Sequence, residues 1–216
     1  MKNLPNIIDI RLNGPSELYD LIDKNYKPMP KNLDGTIRNE GVHLHNNDID
    51  ALRHAYVSGL YTIEYGEKTA DFLGRINELG SKLKRDSQPK SENMDLWNNA
   101  VGRKYGKKAK SRKELFDLLT KALKNGELII DLEDKRKYRG AKIIKRLPKS
   151  LVITIQETKS GENIQYYDIG KQEVYSKEEF LALIKQGKYP NYSFKKVGEN
   201  EYPISKRDRF DFNNLG

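Results

Sequence analysis

The sequence contains no cysteine and only three histidines in 216 residues. Without cysteine the chain can form neither a disulfide nor a thiolate zinc site, and it cannot use a cysteine nucleophile. No stretch approaches the ~18 consecutive apolar residues that a membrane-spanning helix needs. The sequence also lacks a G-x-S-x-G elbow and a Walker loop, which disfavours standard α/β-hydrolases and P-loop enzymes.

The positive charge of the chain is concentrated in one segment. Residues 101–146 contain 16 Lys and Arg against six Asp and Glu, although the formal net charge of the whole chain is only +9. Such a segment can attract the phosphates of nucleic acid or an anionic membrane surface. It can equally serve only to keep the protein soluble. Lys107 and Lys108 stand near its start and are candidate substrate-binding residues.

Apolar periodicity predicts an α+β chain with a mainly α-helical N-terminal domain. Apolar residues recur at helical spacing over residues 14–126, where Pro15 opens the first helix, and the pattern predicts about five helices. Residues 127–147 form a basic connector, which contains one short strand candidate at residues 128–132. The helical domain is the predicted catalytic domain.

The C-terminal part of the chain predicts a smaller module. Two β-runs joined by a turn at Ser160, a capping box that starts at Ser176 and two further strand pieces indicate a strand–hairpin–helix–hairpin module over residues 148–205. Residues 206–216 are polar, and we expect them to form a flexible tail. No residue of this module is typical of a catalytic site.

Two of the predicted helices carry more short polar groups than an ordinary amphipathic surface needs. Asp and Asn are poor residues for a helix interior, because their side chains compete for backbone hydrogen bonds. Proteins accept that cost most readily at functional sites. The groups are Asp50, Arg53 and His54 in the first helix and Asp95, Asn98, Asn99 and Arg103 in the second.

The same residues also have a purely structural interpretation. Asn47 or Asp48 can cap the first helix. An exposed ion pair between Asp50 and His54 would contribute only about 0.3–0.5 kcal/mol. Asn98 and Asn99 can satisfy buried backbone groups. Each residue taken alone favours this interpretation, whereas the set as a whole favours a site.

If the two helices face each other, their polar groups can form one catalytic cleft. His54 beside Asp50 is typical of a general base whose tautomer is fixed by a carboxylate. Arg53 and Arg103 can bind a developing anion, preferably a phosphoryl oxygen. The remaining candidate catalytic residues are Asp95, Asn98, Asn99 and, at the end of the intervening helix, Glu78.

A divalent metal is compatible with these residues. His54 and two or three carboxylate or amide oxygens could serve as its ligands. His43 and His45 form a separate His-x-His pair, which is a weak metal signal without further ligands. The sequence does not identify a metal.

The two polar helices resemble a bacterial domain family of uncharacterised function, which occurs in secreted, polymorphic-toxin-like and phage-associated proteins. The family's characteristic motifs are D-x-x-R-H-A and, about forty residues later, M-D-x-x-N-N-x-x-G. In this chain the first motif matches from Asp50 to Ala55 and the second from Met94 to Gly102. The resemblance covers roughly residues 40–130. Where family members carry His-Glu, this chain has Asn77 and Glu78. The C-terminal module is similar, less specifically, to another small bacterial domain of unknown function.

The resemblance implies a bacterial effector or toxin domain, by analogy. The N-terminus lacks the apolar run of a signal peptide, so we expect residence in the bacterial cytoplasm before export or injection by a dedicated secretion system. An immunity protein is then an expected partner. Three functions follow: a hydrolase of a phosphate-containing bond with nucleic acid favoured, a cell-envelope hydrolase acting on phospholipid or peptidoglycan, or a non-enzymatic binding module.

Overall fold

A computed structural model describes residues 6–84, 89–140, 151–158 and 160–206, without the side chains of residues 6, 8 and 77–84. The chain divides into two compact units, Met1–Lys145 and Arg146–Gly216. The first unit is built of helices, and the second contains short antiparallel strands with one helix. These elements confirm the predicted α+β class.

The first unit contains four α-helices and a short 3₁₀ helix among the described residues. They are α1 (Asn6–Asn25), the 3₁₀ helix (Val42–Leu44), α2 (Asp48–Lys84), α3 (Pro89–Gly106) and α4 (Arg112–Lys124). The sequence correctly predicts α4, whose N-cap Ser111 accepts a hydrogen bond from the Glu114 N–H at 3.1 Å. None of the described helices is both long and apolar enough to cross a membrane.

Helix α1 begins earlier than the sequence predicts. Pro15 was expected to open the helix, but it lies inside α1. A proline in this position removes one helical hydrogen bond. Ile7 and Ile10, on the turns before Pro15, are buried in the core. Their burial offsets the lost bond, so tertiary packing overrides the local signal.

Helix α2 turns sharply at Gly66, where the sequence predicts the end of one helix and the start of the next. Gly66 has a φ of +80°, which interrupts the helical backbone. Beyond it, the Nζ of Lys107 pairs with Glu67 at 2.8 Å and the Nη2 of Arg103 pairs with Asp71 at 2.9 Å. Helix α3 therefore runs antiparallel to the second half of α2.

The first half of α2 packs unusually close to α3, and the two run in the same direction. A Cβ built on Gly102 would lie 2.0 Å from the carbonyl oxygen of Ala55, and one built on Gly106 would lie 2.6 Å from that of Gly59. Neither glycine has room for a side chain, so these two positions let the helix backbones touch. This contact sets the distance between the polar groups that precede it in each helix, at His54 in α2 and Asp95 in α3.

The strand predicted at residues 128–132 does not form. Leu128 and Ile129 are buried in the core of the first unit, but their segment pairs with no strand in the part of the chain that the structure describes. The side-chain amide of Asn98 bonds both backbone groups of Ile129 instead, at 2.9 Å to its N–H and 2.8 Å to its carbonyl. The apolar run is therefore a buried loop segment whose backbone is satisfied by a side chain.

The second unit confirms the predicted hairpins and helix. Its elements are β1 (Val152–Glu157), β2 (Asn163–Asp168), β3 (Glu173–Ser176), α5 (Lys177–Lys185), β4 (Tyr192–Val197) and β5 (Asn200–Ser205). Strands β1, β2 and β3 form one antiparallel sheet, and β4 pairs with β5. The capping box between Ser176 and Glu179 is present. The sequence missed β3, and residues 207–216 of the predicted tail lie outside the described residues.

Candidate functional site

The first turn of α2 fixes the side chain of Asp50. Asn47 caps the helix, and its Oδ1 accepts hydrogen bonds from the N–H groups of Ile49 at 2.9 Å and Asp50 at 3.1 Å. Asn46 has a left-handed φ of 54°, and its N–H bonds Oδ2 of Asp50 at 2.6 Å. The loop before the helix therefore holds one carboxylate oxygen of Asp50 and leaves Oδ1 to face the next turn.

His54 lies between two carboxylates that come from different helices. Its Nε2 is 3.5 Å from Oδ1 of Asp50, one turn earlier in α2, and 3.3 Å from Oδ1 of Asp95 in α3. Among the described residues, these three offer ligand atoms that all lie within 4.8 Å of one another. The structure thus brings together the three ionisable residues at the centre of the predicted site.

Arg53 adds a positive charge to this group. Its Nη2 contacts Oδ1 of Asp50 and lies 3.4 Å from Nε2 of His54. Burial is the largest influence on the pKa of Arg53 and lowers it, but nearby negative groups, with Asp50 foremost, raise the pKa by more in total. Tyr19 of α1 lies close by, and burial raises the pKa of its hydroxyl. Arg53 is therefore firmly cationic.

The cluster of Asp50, Arg53, His54 and Asp95, called the His54 cluster below, is partly sheltered from solvent. The side chain of Asp50 is 4% exposed, and those of His54 and Asp95 are 13% and 12% exposed. Arg53, at 27%, is the most exposed member. Low solvent exposure strengthens the electrostatic interactions within the cluster. A surface depression lined in part by Phe116 and Lys121 shares no residue with it.

Residues of α3 at four-residue spacing continue the polar face from Asp95. Asn99 lies beside Gly74, where a built Cβ would come within 3.3 Å of its Nδ2. Arg103 bonds Asp71 at 2.9 Å and the hydroxyl of Tyr138 at 3.3 Å, and it is buried. Arg103 therefore joins α3 to the second half of α2 and to the loop after α4, rather than presenting a free guanidinium.

Sequence reasoning did not include Asp71 and Arg75 in the site. Asp71 bonds both Arg103 and Arg75, the latter at 2.9 Å, and so links the second half of α2 to the polar face of α3. The signal was present in the sequence as an i,i+4 acid–base pair. Such pairs are common on helix surfaces, and only the turn at Gly66 directs this one inward.

Asn98 points away from the His54 cluster. Because consecutive helical residues are about 100° apart, Asn98 and Asn99 cannot face the same neighbour. Asn98 is fully buried, and both ends of its amide bond the backbone of Ile129. The two bonds to Ile129 use both polar atoms of the Asn98 amide, so Asn98 has a structural role.

The other predicted site residues either lie outside the His54 cluster or have a side chain that the structure does not describe. The side chain of Glu78 is outside the described residues. Lys107 is exposed and pairs with Glu67 at 2.8 Å, and the ammonium of Lys108 lies 5.4 Å from the ring centre of Tyr105. Among the described residues, the weak His-x-His pair gains no carboxylate ligand: Nε2 of His43 lies 3.3 Å from the carbonyl of Arg38, and His45 is exposed.

Acidic partners offset part of the basic segment. Lys104, Lys113 and Arg136 form ion pairs at 2.8, 2.8 and 2.6 Å. Arg112 bonds both Asp9 and Glu17 of α1. The exposed lysines of this segment that have no ion pair among the described residues are Lys108, Lys110, Lys121, Lys124, Lys135 and Lys137. An excess of positive charge remains on this unit.

Comparison with known proteins matches one family. A family model described as "Domain of unknown function (DUF6973)" matches residues 35–127, which include α2, α3 and α4. The chain is similar to that family over the part of the helical unit that carries the His54 cluster. No curated protein and no solved structure matches the chain.

Proposed function

We propose that the helical unit is a bacterial effector-like hydrolase that acts on a phosphate-containing bond, with the His54 cluster as its chemical centre. One observation carries the proposal. Nε2 of His54 lies within 3.5 Å of a carboxylate oxygen from each of two helices. An imidazole beside carboxylates is a common means of activating water at neutral pH.

Each member of the cluster has a chemical task in such a reaction. The water oxygen forms the new bond to phosphorus while its proton passes to the activating group, and the leaving oxygen departs with the bonding electrons and takes up a proton. Asp50 and Asp95 orient His54, which activates the water either as a general base or by holding a cation that does so. Arg53 stabilises the negative charge on the phosphoryl oxygens.

Three of the predicted residues support this centre without touching the substrate. Asn98 holds the buried segment around Ile129 against α3. Asn99 and Arg103 contact the second half of α2, at Gly74 and Asp71. These contacts keep α3 in the position from which Asp95 reaches His54. We therefore assign them positioning roles.

Nucleic acid is the favoured substrate class because of the charge on the same unit. Exposed Lys110, Lys121 and Lys124 have no ion-pair partner in the part of the chain that the structure describes. Free lysines attract a polyphosphate backbone and release counterions on binding. An effector of this kind would also need an immunity partner in the cell that makes it, which the family analogy suggests and which a pull-down with the neighbouring gene product would test.

The purified chain tests the proposal directly. It is incubated with RNA, single-stranded DNA and duplex DNA, with Mg²⁺, Mn²⁺ or Zn²⁺ added in turn, and cleavage is followed on gels. We expect cleavage of at least one polymer, and a rate about 10²–10⁴-fold lower for His54→Gln. His45→Gln, a substitution of an exposed histidine, should cleave as the wild type does. Equal rates for His54→Gln and wild type would overturn the assignment.

The low solvent exposure of the His54 cluster favours a second candidate function, that of a non-enzymatic binding module. The side chains of His54 and Asp95 are each less than 15% exposed, as expected of a hydrogen-bonded core. In that case no polymer is cleaved, and His54→Gln chiefly lowers the melting temperature. Parallel incubations with phospholipid vesicles and peptidoglycan sacculi test the cell-envelope hydrolase, for which cleavage there and none of nucleic acid would be decisive.

A further inference from the structure

The distances around His54 match those between metal ligands better than those of hydrogen bonds. A charge-assisted hydrogen bond from a ring nitrogen to a carboxylate spans about 2.7–2.9 Å. The two separations from Nε2 of His54 are 3.3 and 3.5 Å. Two ligands that each lie about 2.0–2.1 Å from a tetrahedral zinc ion are about 3.3–3.4 Å apart. Each of these two separations is therefore close to an edge of a zinc tetrahedron, and the third pair, the two carboxylate oxygens, lies within 4.8 Å.

The chemistry of the donor atoms agrees with this geometry. One imidazole nitrogen and two carboxylate oxygens suit Zn²⁺ and other first-row transition ions, whereas Mg²⁺ prefers an all-oxygen shell with near-octahedral edges of about 2.9–3.0 Å. The Asp50 ligand also has outer support, because the N–H of Asn46 holds its other oxygen at 2.6 Å. Such second-shell bonds orient the carboxylates of metal sites.

We propose that Oδ1 of Asp50, Nε2 of His54 and Oδ1 of Asp95 bind a divalent transition-metal ion, with Zn²⁺ preferred. The three ligands come from two helices that touch at Gly102, so the close contact between backbones builds the site. Three protein ligands leave a fourth position for a solvent molecule, as in catalytic zinc sites.

Arg53 competes with the ion for this site. Its Nη2 contacts the same Oδ1 of Asp50 and lies 3.4 Å from the same ring nitrogen. Two positive charges cannot share one carboxylate oxygen at low cost, so Arg53 must move when the ion binds. Its side chain is 27% exposed and can swing towards solvent. Removal of Arg53 should therefore tighten metal binding, which a purely structural cluster would not do.

The inference rests on the proposed function only for the role of the ion. When bound, the ion lowers the pKa of its water, and His54 then serves as a ligand. Binding is measured without substrate, so the two proposals can fail separately. A bound ion with no hydrolysis leaves a metal-binding module, whereas hydrolysis in the presence of a chelator leaves His54 as a general base.

Calorimetric titration of the purified full chain with ZnCl₂ tests the inference. The background is His43→Gln/His45→Gln, which removes the exposed histidine pair as an adventitious zinc site. We expect one ion per chain in this background, binding at least ~tenfold weaker after Asp95→Asn or His54→Gln, and tighter binding after Arg53→Ala. Circular dichroism confirms that each variant is folded.

Two results would overturn the metal site. One is zinc affinity that does not change with Asp95→Asn and His54→Gln in folded variants. The other is the loss of all zinc binding on removal of His43 and His45. Should His54→Gln fail to fold, Asp95→Asn with Arg53→Ala still decides the matter, because their expected effects on affinity have opposite signs.

Discussion

Both units of this protein contain buried aspartates, and the aspartates of the two units differ in how their oxygens are used. In the second unit, Oδ2 of Asp168 accepts a hydrogen bond from the hydroxyl of Tyr189 at 2.6 Å. Its Oδ1 accepts the N–H groups of Gly170 at 2.9 Å and Lys171 at 3.0 Å. All these distances are those of ordinary hydrogen bonds.

The His54 cluster is built differently. Asp50 and Asp95 both face one ring nitrogen at 3.3–3.5 Å, and the guanidinium of Arg53 lies beside them. Asp50 has short bonds as well, to the N–H of Asn46 at 2.6 Å and to Arg53, so the difference lies in the longer distances around the ring nitrogen. Burial of polar groups does not by itself distinguish a structural network from a functional site. The proposed function rests instead on the spacing of the groups around His54.

The largest effect on stability should come from the helix contact that creates the cluster. Gly102→Val would place side-chain atoms where even a Cβ lies 2.0 Å from the Ala55 carbonyl. We expect the free energy of unfolding to fall by about 3 kcal/mol or more. Urea unfolding followed by circular dichroism measures this. Ala100→Val in the same helix is the matched control. Gly126→Val would not serve, because Gly126 has a positive φ. An equal loss for both variants would contradict the close contact.

A somewhat smaller loss should follow from opening the closed network of the second unit. Asp168→Ala leaves the backbone N–H groups of Gly170 and Lys171 without their acceptor. It also leaves the Tyr189 hydroxyl with the hydroxyl of Tyr175, at 3.0 Å, in place of a carboxylate. Hydrogen bonds to a charged acceptor such as the Asp168 carboxylate contribute about 1.5–3 kcal/mol. We expect a destabilisation near the upper end and unchanged hydrolysis by the helical unit. A stability equal to that of the wild type would mean that Asp168 is not a structural residue.

Asn98→Ala should have a similar but slightly smaller effect in the helical unit. It removes the only hydrogen bonds that the structure shows for the two buried backbone groups of Ile129. We expect a destabilisation of about 2 kcal/mol with hydrolysis reduced less than tenfold. Asn125→Ala, at the exposed C-cap of α4, serves as a comparison. A rate as low as that of His54→Gln would instead place Asn98 in the chemistry.

The smallest stability change should be that of His54→Gln. Its contacts with the carboxylates of Asp50 and Asp95, at 3.3–3.5 Å, are longer than ordinary hydrogen bonds, so the loss of these two contacts should cost less than about 1 kcal/mol. Thermal melting beside Asp168→Ala measures the contrast. If His54→Gln were more destabilising than Asp168→Ala, the distinction between the buried aspartates of the two units would fail.

Local signals predicted much of this structure. The caps of α4 and α5 are set by Ser111 and Ser176, whose side chains bond backbone groups three residues on, so a short stretch of sequence contains the whole signal. The apolar run around Ile129 resembles a strand for the same local reason. Its actual partner, Asn98, lies 31 residues earlier, and no local pattern connects them.

The sequence predicted which residues of the candidate site would come together, but not which neighbour each side chain of α3 would face. The motif residues Asp50, His54 and Asp95 do converge, as their density in two helices suggested. Which face of α3 meets α2 depends on Gly102, whose contact with Ala55 is visible only in three dimensions. That contact turns Asn99 towards the second half of α2 and Asn98 towards Ile129. It also places Arg103 against Asp71, where the sequence suggested a substrate-binding arginine.

Bacterial growth tests most directly whether the His54 cluster is a functional site, because it requires no knowledge of the substrate. The chain is expressed in the cytoplasm, and separately in the periplasm, as wild type, His54→Gln and His45→Gln at matched protein levels. We predict that wild type and His45→Gln inhibit growth from the cytoplasm and that His54→Gln does not. Undiminished inhibition by His54→Gln, or no inhibition by any form in either compartment, would contradict the proposed function.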